Sequence, residues 1–251
     1  PFSFDLPVSE IIPEVKNHLS SSNSLIIQAP PGAGKSTLLP LALLDEPWLE
    51  GKKIIMLEPR RLATKSIAQR MADMLEEEVG KTVGYRIRFE SAISKETRLE
   101  VITEGILTRM MHQDNALEEV GLVIFDEFHE RNLFSEVALA LAREVQQVLR
   151  QDLRILLMSA TIDAELLSQL LGSQVIQSQG RQYPVEVHYL NEVDEYAIGE
   201  DTARQIIPLT KKHEGDFLVF LPGQGEIKKA EEILRRALPE DVIVPLYGQL
   251  S

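Results

Sequence analysis

A glycine-rich loop, APPGAGKST, occupies residues 29–37 between an apolar run and a helical pattern. A bound triphosphate requires inward-pointing backbone N–H groups, a helix N-terminus, a lysine for the β- and γ-phosphates and a hydroxyl for magnesium. Lys35 supplies the cation and Ser36 the hydroxyl, although Ala29 stands where the usual pattern has its first glycine. The pattern predicts a phosphate-binding loop formed by Pro31, Gly32, Ala33, Gly34, Lys35, Ser36 and Thr37.

An acidic pair, Asp126 and Glu127, follows the apolar run GLVIF. Asp126 could be the second protein ligand of a magnesium ion bound to ATP, and Glu127 could deprotonate the attacking water. Alone, such a pair at a strand end more often lies in a solvated turn. With the phosphate-binding loop upstream, it predicts a hydrolytic site in which Lys35, Asp126 and Glu127 are catalytic.

Apolar runs alternate with helical patterns along the first 179 residues, which favours a doubly wound α/β domain with a parallel sheet. The predicted strands span residues 24–28, 53–57, 99–103, 121–126 and 154–160. The predicted helices span residues 35–45, 62–77, 104–113, 134–149 and 163–171. The strands are apolar on both faces, as expected where helices cover both sides of a sheet.

The same alternation begins again near residue 180, so we predict a second domain over residues 180–251. Its predicted strands lie within residues 180–190, 217–221 and 242–246, and its predicted helices span residues 195–212 and 224–237. Some 70 residues are few for an α/β layer covered on both faces. The chain also begins without methionine and ends at LYGQLS, so we expect a fragment that lacks the rest of this domain.

Composition narrows the classes of function. The chain has no cysteine, which excludes disulfides and Cys-ligated zinc, and its histidines are not paired at metal-ligand spacing. No apolar run is long enough for a membrane helix and no secretory signal is visible, so we expect a cytoplasmic protein without a membrane partner. The net charge is −13, yet residues 52–109 hold 12 Lys and Arg against 9 Asp and Glu. A basic, nucleic-acid-binding surface can therefore form from this window.

Five segments together resemble the motifs of superfamily-two helicases of the DEAH/RHA type. They are EPRRLA (58–63), TEG (103–105), DEFH (126–129), SAT (159–161) and FLPGQGEI (220–227), besides the phosphate-binding loop. The segments LEPRRLA, TEGILTRM and DEFHER resemble the bacterial HrpB-type helicases most closely. The resemblance covers nearly the whole chain and implies a RecA-like P-loop domain followed by the start of a second RecA-like domain.

The resemblance also implies roles for individual residues. It implies nucleic-acid contacts by Arg60, Arg61, Arg88, Thr103, Gly105 and Gly223. It implies adenine stacking by Arg70, and coupling of nucleotide state to domain closure by His129, Ser159 and Thr161. From the residues alone, the arginines could equally be solvated, His129 could be structural and Thr161 could simply cap the next helix.

As a whole, the resemblance implies an ATP-dependent RNA helicase or translocase with 3′→5′ polarity. It would bind Mg-ATP and single-stranded RNA, and hydrolyse ATP. Motifs V and VI, which supply arginine fingers, lie outside the 251 residues, so we expect poor turnover by the chain alone. Three alternatives remain open: a nucleotide-dependent switch, although the guanine-reading Asn-Lys-x-Asp is absent; an interaction module without unwinding activity; and a DNA-directed helicase.

Overall fold

A computed structural model describes residues 6–130, 132–160, 164–179, 184–189, 194 and 196–247. The chain divides into two compact units at Tyr183/Pro184. Within the described residues, no helix is both long enough and apolar enough to cross a membrane.

The first unit is built on one eight-stranded sheet with the order β4-β3-β5-β2-β6-β7-β1-β8. Its strands are β1 (Ser24–Gln28), β2 (Lys53–Leu57), β3 (Val83–Ile87), β4 (Glu90–Ala92), β5 (Leu99–Ile102), β6 (Val120–Phe125), β7 (Arg154–Ser159) and β8 (Gln174–Gln177). Every neighbouring pair is parallel except β3 and β4, which form a tight antiparallel hairpin. The predicted α/β class is confirmed. The sequence patterns missed β3, β4 and β8.

Helices cover both faces of this sheet, and successive strand residues enter opposite cores. The helices are α1 (Ile12–Ser21), α2 (Leu38–Ala42), α3 (Arg61–Met74), α4 (Glu104–Gln113), α5 (Leu133–Glu144) and α6 (Ala164–Leu171). In β1, Leu25 and Ile27 pack in the core with α1, α2 and α3, whereas Ile26 packs in the core with α4, α5 and α6. This alternation explains the unbroken apolar runs of the strands.

Several predicted bounds differ from the structure. The helix predicted at 35–45 is only Leu38–Ala42, and the one predicted at 134–149 changes at Val145 to a five-residue π-helix. The patterns also missed α1. Proline at the second position of α1 explains this, because it suits the start of a helix but interrupts the apolar pattern.

The second unit contains two helices, α7 (Ile198–Thr210) and α8 (Gln224–Ala237), which share a small apolar core. The strands predicted at 217–221 and 242–246 are wrong, because no strand occurs among the described residues of this unit. Phe220 is 86% exposed and Val242 is 91% exposed. Apolar segments of this kind become strands only when neighbouring strands accept their backbone hydrogen bonds.

Candidate active site

The predicted phosphate-binding loop follows β1 and packs against the first residues that the structure describes. Gly32 and Gly34 have φ values of +77° and +88°, which is backbone that side chains disfavour. A Cβ on Gly34 would lie 2.8 Å from Leu6 Cδ1, so the position also lacks room. The N–H of Leu38 donates to the Gly34 carbonyl at 2.9 Å, and α2 begins there.

The other loop residues bring the chain against the tip of β7. Ala29 is buried, and its N–H donates to the Ser159 carbonyl at 3.0 Å. Pro31 is exposed, Ala33 is buried, and Thr37 lies just before α2 with φ −125° and ψ −66°. The loop is thereby fixed at the edge of the sheet where the parallel strands end.

Lys35 joins this loop to the end of β6. It is only 3% exposed, and its Nζ lies 2.6 Å from Glu127 Oε1 and 3.7 Å from Asp126 Oδ1. Residues about 90 positions apart in the sequence therefore meet at one point, because β1 and β6 both pair with β7. The cation and both carboxylates predicted as catalytic lie together.

Asp126 is a buried carboxylate with an unused acceptor. Its Oδ1 accepts the Glu127 N–H at 2.9 Å, while its Oδ2 has no hydrogen-bond partner in the described part of the chain. Burial raises the pKa of Asp126, and the nearby Lys35 ammonium and Ser36 hydroxyl partly oppose that shift. An unsatisfied buried carboxylate beside a hydroxyl fits a divalent cation, which prefers oxygen ligands.

No cluster of three or more His, Asp or Glu side chains that could hold a metal occurs among residues for which side-chain positions are described. The residues that could hold a cation at this site are Ser36 and Asp126. Magnesium commonly keeps such a small protein ligand set and fills the remaining positions with water and phosphate oxygens.

Glu127 has a strained backbone, with φ +50°. Its second carboxylate oxygen lies 3.4 Å from His129 Nε2, and His129 Nδ1 accepts the Ala160 N–H at 3.5 Å. Non-glycine residues in this region of φ concentrate at functional sites. Successive contacts thus connect Lys35 to Glu127, Glu127 to His129, and His129 to the end of β7. Ser159 is buried at that end, and Thr161 lies outside the described residues.

Glu58 is a third carboxylate at this edge, one that the sequence patterns treated only as part of a motif. Leu57 pairs in register with Phe125, so Glu58 and Asp126 follow neighbouring strands. Glu58 is buried, and burial raises its pKa to about 7, with a further increase from Asp126 and a decrease from the hydrogen bond that the Arg60 N–H donates. Its position directly after the apolar run IIML of β2 is the signal that could have identified it.

The first two predicted nucleic-acid contacts begin α3, beside the acidic site. The Arg60 guanidinium forms an ion pair with Glu130, and burial of the pair is slight. The Arg61 Nη2 donates to the carbonyl of Arg88 at 3.3 Å, which brings α3 against the β3–β4 turn.

Two further candidates lie at the start of α4. Thr103 precedes this helix, and its N–H donates to the Arg86 carbonyl at 3.4 Å. Gly105 is exposed, with open space where a Cβ would point. The tips of β2, β3 and β5 thus bring Arg61, Arg88, Thr103 and Gly105 to one stretch of the sheet edge.

Two predicted residues are not part of this grouping. Arg70 is exposed on α3 and makes no hydrogen bond or ion pair with the described residues. Gly223 is the N-cap of α8 in the second unit.

Comparison with known proteins gives consistent results. The family model for DEAD/DEAH box helicases matches residues 9–169. The chain is 48% identical over 248 residues to the ATP-dependent RNA helicase HrpB of Escherichia coli K12, covering 98% of this chain and 30% of that protein. It is 34% identical over 256 residues to the HrpA homologue of Haemophilus influenzae, covering 100% of this chain and 20% of that protein.

Solved structures agree with these sequence matches. The crystal structure of E. coli DEAH/RHA helicase HrpB superimposes with a TM-score of 0.91 at 47% identity, covering 98% of this chain and 32% of that one. A second crystal structure, of the E. coli DExH-box NTPase HrpB, gives a TM-score of 0.81 over 99% of this chain and 31% of that one. The fold and the sequence therefore point to the same relatives.

Proposed function

The chain belongs to the DEAD/DEAH box helicase family, and on that premise we propose that it binds Mg-ATP and single-stranded RNA and couples ATP hydrolysis to strand movement or unwinding. The relatives it matches are named ATP-dependent RNA helicases, which supports both ligands. The chain spans about 30% of the length of E. coli HrpB. Unwinding by the whole protein is accordingly part of the proposal.

The observation that carries the proposal is the convergence of Lys35, Asp126 and Glu127. A lysine buried in a glycine-rich loop needs a negative partner, and Glu127 provides it here at 2.6 Å. We infer that the phosphates of ATP replace Glu127 as that partner. The exchange would keep the lysine paired and would release the carboxylate for chemistry.

Ser36 and Asp126 are the residues that would hold magnesium. The unpartnered Oδ2 of Asp126 and the neighbouring hydroxyl support this assignment. A magnesium ion on the phosphates would neutralise negative charge that develops as the terminal phosphate is transferred.

Glu127 is the proposed general base. Once Lys35 no longer occupies Oε1, the carboxylate can orient a water and accept its proton. His129 contacts the other oxygen and also receives a hydrogen bond from the backbone at the end of β7. In this proposal, movement of Glu127 between its two states is transmitted through His129 to Ser159 and the segment that follows.

The nucleic-acid strand would run along the edge formed by Arg60, Arg61, Arg88, Thr103 and Gly105. These residues offer guanidinium, hydroxyl and backbone N–H groups, which suit phosphate oxygens and sugars. Contacts of this kind carry little sequence information and release counterions, so binding should tolerate sequence changes and weaken with salt.

Two substitutions test the nucleotide site. Lys35→Ala should abolish binding of a fluorescent ATP analogue, whereas Lys52→Ala, which removes a half-buried cation paired with Asp152, should not. Asp126→Asn should remove only the part of the affinity that depends on magnesium, measured as the difference between titrations with Mg²⁺ and with EDTA. Asp45→Asn, at an exposed carboxylate, is its control. Unchanged nucleotide binding by Lys35→Ala would support an interaction module.

Competition and stimulation separate the remaining alternatives. A switch of the GTPase type should prefer guanine sharply in a nucleotide competition assay, whereas a helicase of this family should not require guanine. Single-stranded RNA should increase the ATPase rate of the full-length protein more than single-stranded DNA does. Equal or greater stimulation by DNA would favour a DNA-directed helicase, and no stimulation by either would contradict the proposal.

A further inference from the structure

One polar contact buried between α4 and α5 joins the start of α4 to the helix that follows Glu127. The Ser135 hydroxyl donates to Glu104 Oε1 at 3.0 Å, and each of the two residues is 7% exposed. We propose that this contact transmits RNA binding to the ATPase site, so that Glu104 and Ser135 are positioning residues for RNA-stimulated ATP hydrolysis. The inference rests on the proposed function and adds the regulation of its site.

Glu104 is a costly residue for its place in the fold. It is the first residue of α4, a helix that packs on α5 through an apolar core containing Leu107 and Leu139. A buried carboxylate needs hydrogen bonds or a cation. Within the described ranges no Lys, Arg or His pairs with Glu104, and the Ser135 hydroxyl is the one side-chain donor to its carboxylate. One hydroxyl compensates only part of the cost of burial, so packing alone does not account for this residue.

On the α4 side, Glu104 lies between two of the proposed RNA contacts. Thr103 is the N-cap of α4, and Gly105 is the second residue of the helix, exposed and with open space where a Cβ would point. A strand held by Thr103 and Gly105 would therefore fix the backbone on both sides of Glu104. Because the Glu104 side chain is buried, it contacts α5 and leaves the strand to its neighbours.

On the α5 side, only a turn and a helix cap separate Ser135 from Glu127. Phe128–Glu130 form a short helical turn directly after Glu127. Asn132 then caps α5, and its Oδ1 accepts the Phe134 N–H at 2.9 Å. Ser135 lies in the first turn of α5, so it moves with this cap. The contact with Glu104 thus restrains the same helix start that follows the proposed general base.

Glu127 is the part of the site that has two states in the proposed function. It is paired with Lys35 at 2.6 Å in this structure, and the phosphates of ATP would release it. An effector shifts such an equilibrium only if it favours one of the two states. RNA on Thr103 and Gly105 would fix the first turn of α4, and the Ser135 hydrogen bond would hold α5 in the position that favours the released carboxylate.

A second contact joins the same two regions, but it differs in exposure. Arg60 pairs with Glu130, which lies in the turn between Glu127 and α5. That pair is substantially exposed, so an RNA phosphate can take the place of Glu130. The contact between Glu104 and Ser135 is buried and does not compete with phosphate. It is therefore the connection that persists when RNA is bound.

The first test is the ATPase rate of the full-length protein with and without saturating single-stranded RNA. Ser135→Ala should reduce the stimulation by RNA by about fivefold or more, the lower end of typical coupling between sites. RNA affinity, measured by fluorescence anisotropy, and the rate without RNA should stay nearly unchanged. Ser24→Ala is the matched control, because Ser24 is a buried serine at the start of β1 whose hydroxyl lies 3.3 Å from Gln146 Oε1. It should keep full stimulation.

The second test is a double-mutant cycle on the same stimulation. Glu104→Ala should lose as much as Ser135→Ala, and the double variant should lose no more than either single variant. Removing both partners leaves no unsatisfied carboxylate, so the double variant tests the contact even where Ser135→Ala fails to fold. Glu104→Gln keeps an acceptor for the hydroxyl and should retain the stimulation.

Several outcomes would overturn the inference. They are full stimulation in the double variant, additive losses in the cycle, loss of stimulation in Glu104→Gln, an equal loss in Ser24→Ala, and a fall in RNA affinity that accounts for the lower rate. The proposed function has a separate criterion. If the unmodified full-length protein hydrolyses no ATP, or if RNA does not stimulate it, the proposed function itself fails.

Discussion

At the scale of single residues, this site is defined by carboxylates that end apolar strands. Asp126 and Glu58 follow neighbouring strands and are both buried, yet they differ in their partners. Asp126 has the Lys35 cation within 4 Å, whereas Glu58 accepts one backbone N–H and lies near the Arg60 guanidinium and two acidic groups. Burial raises the pKa of both. Glu58 is expected to change protonation near neutral pH.

Glu58 should make stability depend on pH. Its pKa is about 7 when folded and about 4.5 when unfolded, so between these values the folded chain holds a proton that the unfolded chain releases. The free energy of unfolding should therefore fall as pH rises from 4.5 to 7, by about 3 kcal/mol, and level off above 7. Glu58→Gln keeps an acceptor for the Arg60 N–H and should lack this decline. Urea denaturation at pH values from 4.5 to 7 measures the decline in the free energy of unfolding. The free energy of unfolding of the unmodified chain minus that of Glu58→Gln should change with pH. If this difference is as independent of pH as the corresponding difference for Glu232→Gln, an exposed control, the assignment is contradicted.

Glu130 should compete with RNA for Arg60. The pair is substantially exposed, with 60% and 32% of the two side chains accessible, so the attraction is weak. Exposed pairs contribute roughly 0.2–1 kcal/mol. Glu130→Gln should therefore strengthen binding of single-stranded RNA by about two- to fivefold, measured by anisotropy. Glu232→Gln breaks a similar pair with Arg236 in the second unit and serves as control. Weaker binding by Glu130→Gln would show that Glu130 supports Arg60 instead of competing for it.

At the scale of elements, the phosphate-binding loop sets the start of its own helix. The sequence favours helix from residue 35, but residues 35–37 form turns and α2 begins at Leu38. Thr37, with φ −125° and ψ −66°, has non-helical backbone, so the helix does not begin before Leu38. The same loop is held from outside by the Val8 N–H, which donates to the Ala33 carbonyl at 2.9 Å.

Gly34 and Gly32 should respond differently to alanine. Both have positive φ, so each substitution strains the backbone by about 1 kcal/mol or more. Only at Gly34 would the new Cβ meet Leu6 and Val8, at 2.8–3.2 Å, whereas space is open at Gly32. We expect Gly34→Ala to lose about 2–3 kcal/mol of unfolding free energy and Gly32→Ala about 1 kcal/mol. Denaturant midpoints compare the stabilities of the two variants. Equal losses of unfolding free energy would exclude the contact with Leu6 and Val8 as the cause of the greater loss expected for Gly34→Ala.

At the scale of the whole molecule, the two units differ in how well they bury their apolar residues. The first has a complete sheet with a core on each face. The second has one small core of Ala203, Ile206, Ala230 and Leu234 between two helices. The two helices pack so closely that a Cβ on Gly199 would lie 2.6 Å from the Glu226 carbonyl oxygen. We expect the second unit to open more readily than the first.

Gly199→Ala should destabilise the second unit alone. Helix propensity predicts a gain of about 1 kcal/mol, but the backbone contact with Glu226 requires the helices to separate, at a cost of about 1–3 kcal/mol. Hydrogen exchange should accelerate in α7 and α8 while the amides of β1 and β6 remain protected. Gly225→Ala, where space is open, should not accelerate exchange. Equal protection in Gly199→Ala and the unmodified chain would mean that the close approach carries no energetic cost.

Much of the first unit was determined by the sequence itself. The parallel strands are short runs of apolar residues bounded by loop signals, and periodicity located all five that lie in the centre of the sheet. The glycine-rich loop was predicted to bind phosphate from Gly34, Lys35 and Ser36, because local backbone and side-chain chemistry depends on adjacent residues. The roles of Arg70, Gly223 and Thr161 remain predictions that rest on the family resemblance.

Only the tertiary structure decided which distant groups meet. It set the burial of Glu58 and the pairing of Arg60 with Glu130, and it brought Ser135 within hydrogen-bond distance of Glu104. It also left the apolar segments at 217–221 and 242–246 without strand partners. The physical reason is the same throughout: pKa shifts, ion pairs and sheet hydrogen bonds depend on neighbours in space, and those neighbours come from remote parts of the chain.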